Sequence, residues 1–251
     1  VENTVAPIRD KEIIDTELMI SDIETLTRRK EALAKKIKAN DPDAKVELNL
    51  LERVLSHLEA GNPARSLSIT PEDTILIKQF GLITQKPVLY VCNVNEEDAK
   101  SGNRLTQAVA EMAREENASY VIISAAIEEE ISGLENEEEK ALFLEEMGLD
   151  ASGLSKVVMA GYKLLDLITF FTCGPKEARA WTLRKNKTAP QAAGQIHSDF
   201  ERGFIRAETV AFDDYITFKG ESGAKEAGKY RSEGKDYVVK DGDILLFRFN
   251  V

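Results

Sequence analysis

The sequence predicts an α/β chain in three parts: a pair of long helices over residues 1–64, a segment built on a parallel sheet over 65–166, and a small mixed domain over 167–251. Three observations carry that prediction. Apolar residues recur at alternating spacings of four and three from Met19 to Ile37 and again from Ala44 to Leu58, as in helices that pack along one another. Two continuous apolar runs, PVLYVCNV and YVIISAA, alternate with helical stretches, which is the order of a parallel sheet. Beyond residue 167, short strand-like runs surround one helical stretch.

The first stripe is Met19, Ile23, Leu26, Lys30, Leu33 and Ile37, in a helix expected from about Lys11 to Lys38 and roughly 40 Å long at 1.5 Å per residue. The second is Ala44, Leu48, Leu51, Leu55 and Leu58. In the connecting KANDPD, Asp41 is placed to cap the second helix and Pro42 to fill its first position, and Gly61 and Pro63 stop it. So short a turn folds the helices back as an antiparallel hairpin whose tip projects toward a partner.

Thr70-Pro71-Glu72-Asp73 opens a short helix that closes near Gly81. PVLYVCNV then reads as a strand covered on both faces, residues 103–116 as a helix, YVIISAA as a second buried strand, and residues 136–147 as a helix. A further helix near Leu154 to Leu165 leads to LITFFTC, ARAWTL, ETVAF and DYVVKDGDILLFRF. A helix from Thr188 interrupts them, with Thr188 and Gln191 at capping-box spacing and Pro190 in the first turn. Asp241-Gly242 between two strand-like runs is a turn signal. A four- or five-stranded sheet wrapped on one main helix is expected here.

The 251 residues are 43% hydrophobic and 31% charged, enough to bury a core. The apolar stretch VVMAGYKLLDLITFF is broken by Lys163 and Asp166, short of the ~20 residues a membrane span needs, and VENTVAPIRDKE has no export pattern. A cytoplasmic protein with no membrane partner is expected. Cys92 and Cys173 lie in apolar sequence, which suits buried free thiols. His57 and His197 are too scattered for a zinc site. His57 reads as a helix-surface residue. His197 precedes Ser198 and Glu201, which have capping-box spacing, and a structural role is expected for it.

A net charge of -11 opposes nonspecific nucleic-acid binding by the whole molecule. The charge is uneven, with 14 Lys/Arg against 12 Asp/Glu from Leu167 onward and 19 against 32 before it. Local basic faces are therefore the places to look for RNA. One is Arg28, Arg29, Lys30, Lys35, Lys36 and Lys38 near the hairpin tip, for which a solvated helix face is the competing reading. The other is Lys176, Arg179, Arg184, Lys185 and Lys187 around Trp181, with Arg202 and Arg206 nearby in sequence. Cations beside an aromatic suit RNA; the alternative makes Trp181 a core residue.

Ligands of a parallel sheet bind beyond the carboxyl ends of its strands. There the sequence places Asn93-Val94-Asn95-Glu96 after the first buried strand and Ser124-Ala125-Ala126-Ile127-Glu128 after the second. The pair resembles the Asn-Lys-x-Asp and Ser-Ala-Lys loops with which the GTPase superclass reads its base. The departures carry chemistry. An Asp carboxylate accepts two hydrogen bonds from guanine, and such a site rejects bases without those donors. Glu96 is a methylene longer, Val94 replaces the Lys beside the base, and Ala126 replaces the second Lys. The Asn93 amide both donates and accepts, which suits the N7 and N6-amine edge of adenine. ATP preference is expected. The competing reading leaves Asn93 as a strand cap and Glu96 as a solvated loop acid.

Longer stretches carry a family resemblance. NVNE and SAAIE as base loops, the hairpin before them, AGYKLLDLITFFTCGPKEARAWT, TAPQAAGQIHSDFERGFIRAE and the terminal GKDYVVKDGDILLFRFNV resemble the YchF/Obg-like ATPase family over essentially the whole chain. The resemblance implies a P-loop NTPase-type parallel sheet whose C-terminal part is residues 65–166, an inserted coiled-coil arm, and a C-terminal TGS domain of β-grasp fold. It implies a weak ATPase that associates with ribosomes. By resemblance, Asn93 and Val94 line the base, Glu96 orients that loop, and Ser124, Ala125 and Ala126 close over it.

The family's phosphate loop, switch segments and magnesium-binding hydroxyl precede the hairpin, whereas no G-x-x-x-x-G-K-[ST] occurs in this chain. The expected cofactors are ATP, with GTP second, and Mg2+ held by ligands in an absent N-terminal half. The phosphate cradle and its Lys supply most of the electrostatics of phosphoryl transfer, so the chain alone is expected to be inactive. Two functions follow: an ATP-driven switch on the ribosome completed by the absent half, or a nonenzymatic RNA- or ribosome-binding module.

Overall fold

Helix α1 (Pro7–Lys38) begins four residues before its expected start, because Pro7 can occupy a first turn whose amide needs no intrahelical partner. Helix α2 (Pro42–Glu59) follows, and the Asp41 carboxylate accepts from the Asp43 and Ala44 amides at 3.0 and 3.4 Å. Arg29 pairs with Glu47 at 2.5 Å and Asp15 with Arg65 at 3.3 Å, so ascending positions meet descending ones and the two helices run in opposite directions. The buried face of α2 is Ala44, Leu50, Leu51, Val54 and Leu58, while Leu48 and Leu55 are only half-buried. It is rotated from the expected stripe because Ile77, Phe80 and Leu82 join the same cluster, giving α2 a second wall to pack against. The structure, a computed structural model, describes residues 4–38, 41–174 and 177–250. The chain divides into two units, Val1–Ala160 and Gly161–Val251.

In the first unit, α3 (Pro71–Lys78) is capped by Thr70. The carboxylate of buried Asp22 accepts from the Ile83 amide at 2.8 Å, the Thr84 amide at 2.8 Å and the Thr84 hydroxyl at 2.6 Å. It pins α1 to the segment entering the sheet. Strands β1 (Leu89–Asn93) and β2 (Ser119–Ile123) pair in parallel from Leu89↔Ser119 to Asn93↔Ile123, with helix α4 (Arg104–Glu115) as the crossover. The expectation of strands covered on both faces is corrected, since Val91 is 46% and Tyr120 42% exposed. Helix packing covers this pair incompletely. The second loop runs straight into α5 (Ala125–Ser132), followed by α6 (Glu137–Glu146) and α7 (Gly153–Leu164). Glu128 accepts from the Gly153 and Leu154 amides at 2.5 and 3.0 Å and so caps α7.

The second unit holds a mixed five-stranded sheet in the order β4-β3-β7-β5-β6. Its members are β3 (Leu167–Cys173), β4 (Ala178–Arg184), β5 (Phe204–Ala211), β6 (Arg231–Glu233) and β7 (Asp243–Phe249). Only β3 and β7 pair in parallel. Helix α8 (Ala189–Ile196) buries Ala189, Ala192 and Ala193 against Phe170, Leu183, Leu245 and Phe247. Helices α9 (Ser198–Arg202), α10 (Phe212–Thr217) and α11 (Glu221–Glu226) complete the unit. Asp241-Gly242 does not turn a hairpin: the preceding run only bridges Thr188 through Val238, while the Gly242 amide donates to the Thr169 carbonyl at 2.8 Å. Both thiols are half-buried rather than buried, and Cys173 Sγ lies 3.3 Å from the Tyr215 hydroxyl.

Candidate nucleotide-base site

Parallel register sets Asn93 opposite Ile123, so the two loops leave the sheet side by side. The Val94 amide extends the ladder to the Ile123 carbonyl at 2.9 Å. Asn93 Oδ1 then accepts the Ala125 amide at 2.9 Å, joining the end of β1 to the first residue of α5. Ala125 and Ala126 are exposed on the first turn of α5, where helix amides lack intrahelical acceptors. Ser124 is 3% exposed and its Oγ has no hydrogen-bond partner among the described residues. A buried hydroxyl left so costs about 1–3 kcal/mol.

Val94 is half-buried, and Glu96 is exposed in a 3-10 turn, Glu96–Asp98. The residue that fixes this loop is one the sequence reading passed over. Asp98 Oδ2 accepts from Asn103 Nδ2 at 2.7 Å, and its carbonyl accepts the Gly102 amide at 2.7 Å. Asn103 in turn caps α4 through the Leu105 and Thr106 amides. The Asn103 cap was readable from the helical pattern after it; Asp98 carried no such signal. A cavity of about 430 Å³ runs along β1 between α1 and α4 and reaches the loops at Asn93, Val94 and Asn95, but not at Glu96 or residues 124–126. The cavity is thus a flank of the site.

Lys11 and Tyr90, which line the cavity, belong to an ionic cluster. Glu116 binds Lys11 and accepts from the Tyr90 hydroxyl at 2.7 Å, while Asp15 takes Lys11 at 2.9 Å and Arg65 at 3.3 Å. Burial and then the Glu116 bond push Tyr90 up to about 12. Burial opposes the charge of Lys11, yet its bonds to Glu116 and Asp15 raise it overall. Burial likewise works against Glu116, but Lys11 and Tyr90 hold its carboxyl below the usual range. Apart from Lys11 and Asp15, which are four residues apart, the partners are separated by 26 to 105 residues, which hid the cluster from a reading by local pattern.

The basic candidates do not share one environment. Arg28 and Lys36 are exposed. Arg29 is committed to Glu47, to the Gln79 carbonyl at 2.9 Å and to the Phe80 face at 4.8 Å. Lys30 pairs with Glu52 at 2.8 Å. Lys176 and the side chains of Lys35 and Lys38 lie outside the described residues. Trp181 packs on the core, 6.4 Å from Phe170, and its Nε1 donates to Thr172 Oγ1 at 2.9 Å. The Arg179 guanidinium lies over its ring at 4.1 Å. Arg184 falls on the opposite face of β4 by strand alternation, and Lys185 and Lys187 follow in the turn. Arg202 pairs with Asp199 at 2.8 Å and Arg206 with Glu208 at 3.2 Å.

The cap at the start of α9 is His197 itself, whose Nδ1 accepts the Asp199 amide at 3.1 Å, one residue before the expected Ser198. His57 Nε2 lies 2.8 Å from Ser66 Oγ. The nearest approach to a phosphate-loop pattern, GAKEAGKY at 223–230, has Tyr230 in place of Ser or Thr and sits in α11 and its C-terminal turn. Gly223 serves packing there: a Cβ would meet the Phe218 carbonyl oxygen at 1.9 Å.

One parallel and one mixed sheet, joined to two long helices, define an α/β protein. A family model for the YchF-GTPase C-terminal region, described as a protein of unknown function (DUF933), matches residues 167–250. The proteins named ribosome-binding ATPase YchF from Escherichia coli O157:H7 and from Bacillus subtilis strain 168 are each 49% identical over 100% of this chain and 69% of their own length. The structure of the Schizosaccharomyces pombe YchF GTPase superposes with a TM-score of 0.84 at 35% identity, covering 99% of this chain and 68% of that one. The chain belongs to the YchF family.

Proposed function

We propose that the chain is the base-reading and partner-binding part of a ribosome-associated, cytoplasmic ATPase that takes ATP in preference to GTP. The observation that carries this reading is the Asn93–Ala125 bond, which sets two loops against each other at the carboxyl ends of adjacent parallel strands. With its oxygen turned to Ala125, the Asn93 amide offers Nδ2 to adenine N7, and the first-turn amides of α5 offer donors to a ring-nitrogen acceptor. Val94 and Glu96 flank the base without the short carboxylate that guanine requires. The relatives named above are called ribosome-binding ATPases, which supports the same assignment.

The phosphate side does not fit this chain. No glycine-rich loop cradles a triphosphate, and among the described residues no group of three or more His, Cys, Asp or Glu gathers as ligands for Mg2+. No hydrolytic step is therefore assigned to these residues, and the chain alone is inactive in this reading, with the phosphate and metal sites on further polypeptide. Helices α1 and α2 act as an antiparallel arm with Arg28, Lys35 and Lys36 toward its tip. The second unit acts as a TGS domain of β-grasp fold that meets RNA through Lys176, Arg179, Arg184, Lys185 and Lys187. Competition binding of ATP and GTP to the complete protein tests the nucleotide reading. Tighter ATP binding, and a shift toward GTP in Glu96→Asp, is the expected result; a clear GTP preference in the wild type overturns it.

A further inference from the structure

The second unit contains a cavity of about 460 Å³ bounded by the turn between α7 and β3, the turn after β4 and the segment before β7. Lys163, Lys185 and Lys240 line it with Asp166, Asn186 and Asp241. None of the three lysines has an ion-pair partner among the described residues. Elsewhere Lys11, Lys30, Lys140, Lys225 and Lys229 each found a carboxylate. Among the described residues other exposed lysines, such as Lys36, Lys45 and Lys78, are unpaired as well, so what marks these three is that they gather on one cavity.

The three lysines outnumber the two aspartates of the lining. Asp241 Oδ1 accepts the Thr169 amide at 2.7 Å, so part of that carboxylate is spent on the backbone. The frame is built rather than loose. Asp166 and Asn186 adopt left-handed conformations, with φ of 52° and 64°, which bring the two turns together until the Lys185 amide donates to the Asp166 carbonyl at 2.7 Å. The Val239 amide donates to the Lys187 carbonyl at 3.0 Å and fixes the third wall. Ammonium groups are compact point charges with three rotatable donors each, suited to an anion that carries several acceptors and more than one negative charge.

We propose that this cavity is a phosphate-binding site, filled by the phosphoryl group of a free polyphosphate or of RNA. The proposal stands on the lysines and does not depend on the nucleotide reading of the first unit. Pyrophosphate, a 5′-phosphorylated oligoribonucleotide and the same oligonucleotide with a 5′-hydroxyl are titrated separately into the isotope-labelled protein, and amide shifts are followed at residues 163–169, 185–188 and 238–242. The expected result is saturable shifts at those amides, weakened at least tenfold in Lys185→Ala/Lys240→Ala and unchanged in Asn93→Ala. Lys163→Ala, on the last turn of α7, provides an independent variant with the same expectation. Binding by pyrophosphate alone assigns the site to a free polyphosphate; binding by the phosphorylated RNA alone assigns it to an RNA end, and by both RNAs to the backbone. No shift at these amides with any probe, or undiminished affinity in the folded lysine variants, overturns the proposal.

Discussion

The side-chain oxygen of Asn93 lies 2.9 Å from the backbone nitrogen of Ala125, 32 positions further along the chain. The bond ties a strand end to a helix start, and so it can serve structure and recognition at once. Two substitutions separate these roles. Asn93→Asp keeps an acceptor for Ala125 but loses the amide donor; Asn93→Ala loses both. Adenine-nucleotide affinity of the complete protein is expected to fall about tenfold in each, on the scale of 1.4 kcal/mol per decade. Thermal stability is expected to fall only in Asn93→Ala, as read by unfolding curves.

Glu116 gathers Lys11 and Tyr90, and its removal leaves Tyr90 without its acceptor and Lys11 with Asp15 alone. Glu116→Gln is expected to cost about 1–3 kcal/mol in urea unfolding. The pH profile carries the sign. The folded Glu116 carboxyl is held below its ordinary 4.5, so its contribution is complete above that value and is lost as pH falls through the folded value. Tyr90 is raised from 10.0 to about 12, so its contribution is complete below 10.0 and is lost as pH rises through about 12. The variant is expected to flatten both limbs.

Asp22 is 2% exposed and holds three donors from Ile83 and Thr84. Asp22→Ala strands two backbone amides and a hydroxyl in the interior, at an expected cost of about 3 kcal/mol or more. Hydrogen exchange at the Ile83 and Thr84 amides should accelerate in step with the loss of stability.

Glu208 accepts from Arg248 at 2.8 Å, from Tyr230 at 2.8 Å and from Arg206 at 3.2 Å. The Arg248 guanidinium, ahead of burial that works the other way, brings its carboxyl down to about 2 from 4.5. Its contribution is therefore complete above pH 4.5 and fades as pH falls toward about 2. Acid unfolding of the wild type is expected to be steeper across that window than unfolding of Glu208→Gln, measured by fluorescence of Trp181.

Periodicity and capping are local, and what they govern was legible. Leu26, Leu33, Leu51 and Leu58 sit in one buried cluster, and Asp41 and Thr70 cap the helices that follow them. That the loops after the two strands lie side by side follows from strand order and parallel pairing, which a strand-helix-strand pattern already implies. What depended on long-range partners was hidden. Asp22 and Thr84 are 62 positions apart, and Lys11 and Glu116 are 105 apart. Apolar content alone could not tell a half-covered strand from a buried one, as Val91 shows. The segment before Asp241 has strand composition, yet its partner at Thr188 offers a single bridge.

The central claim is that an adenine lies against Asn93 and the start of α5. Photolabelling of the complete protein with 8-azido-ATP, followed by peptide mapping, tests it most directly. The label is expected on peptides spanning residues 88–99 and 119–128, with ATP a stronger competitor than GTP. Label that falls only on other peptides, or that ATP does not displace, contradicts the account.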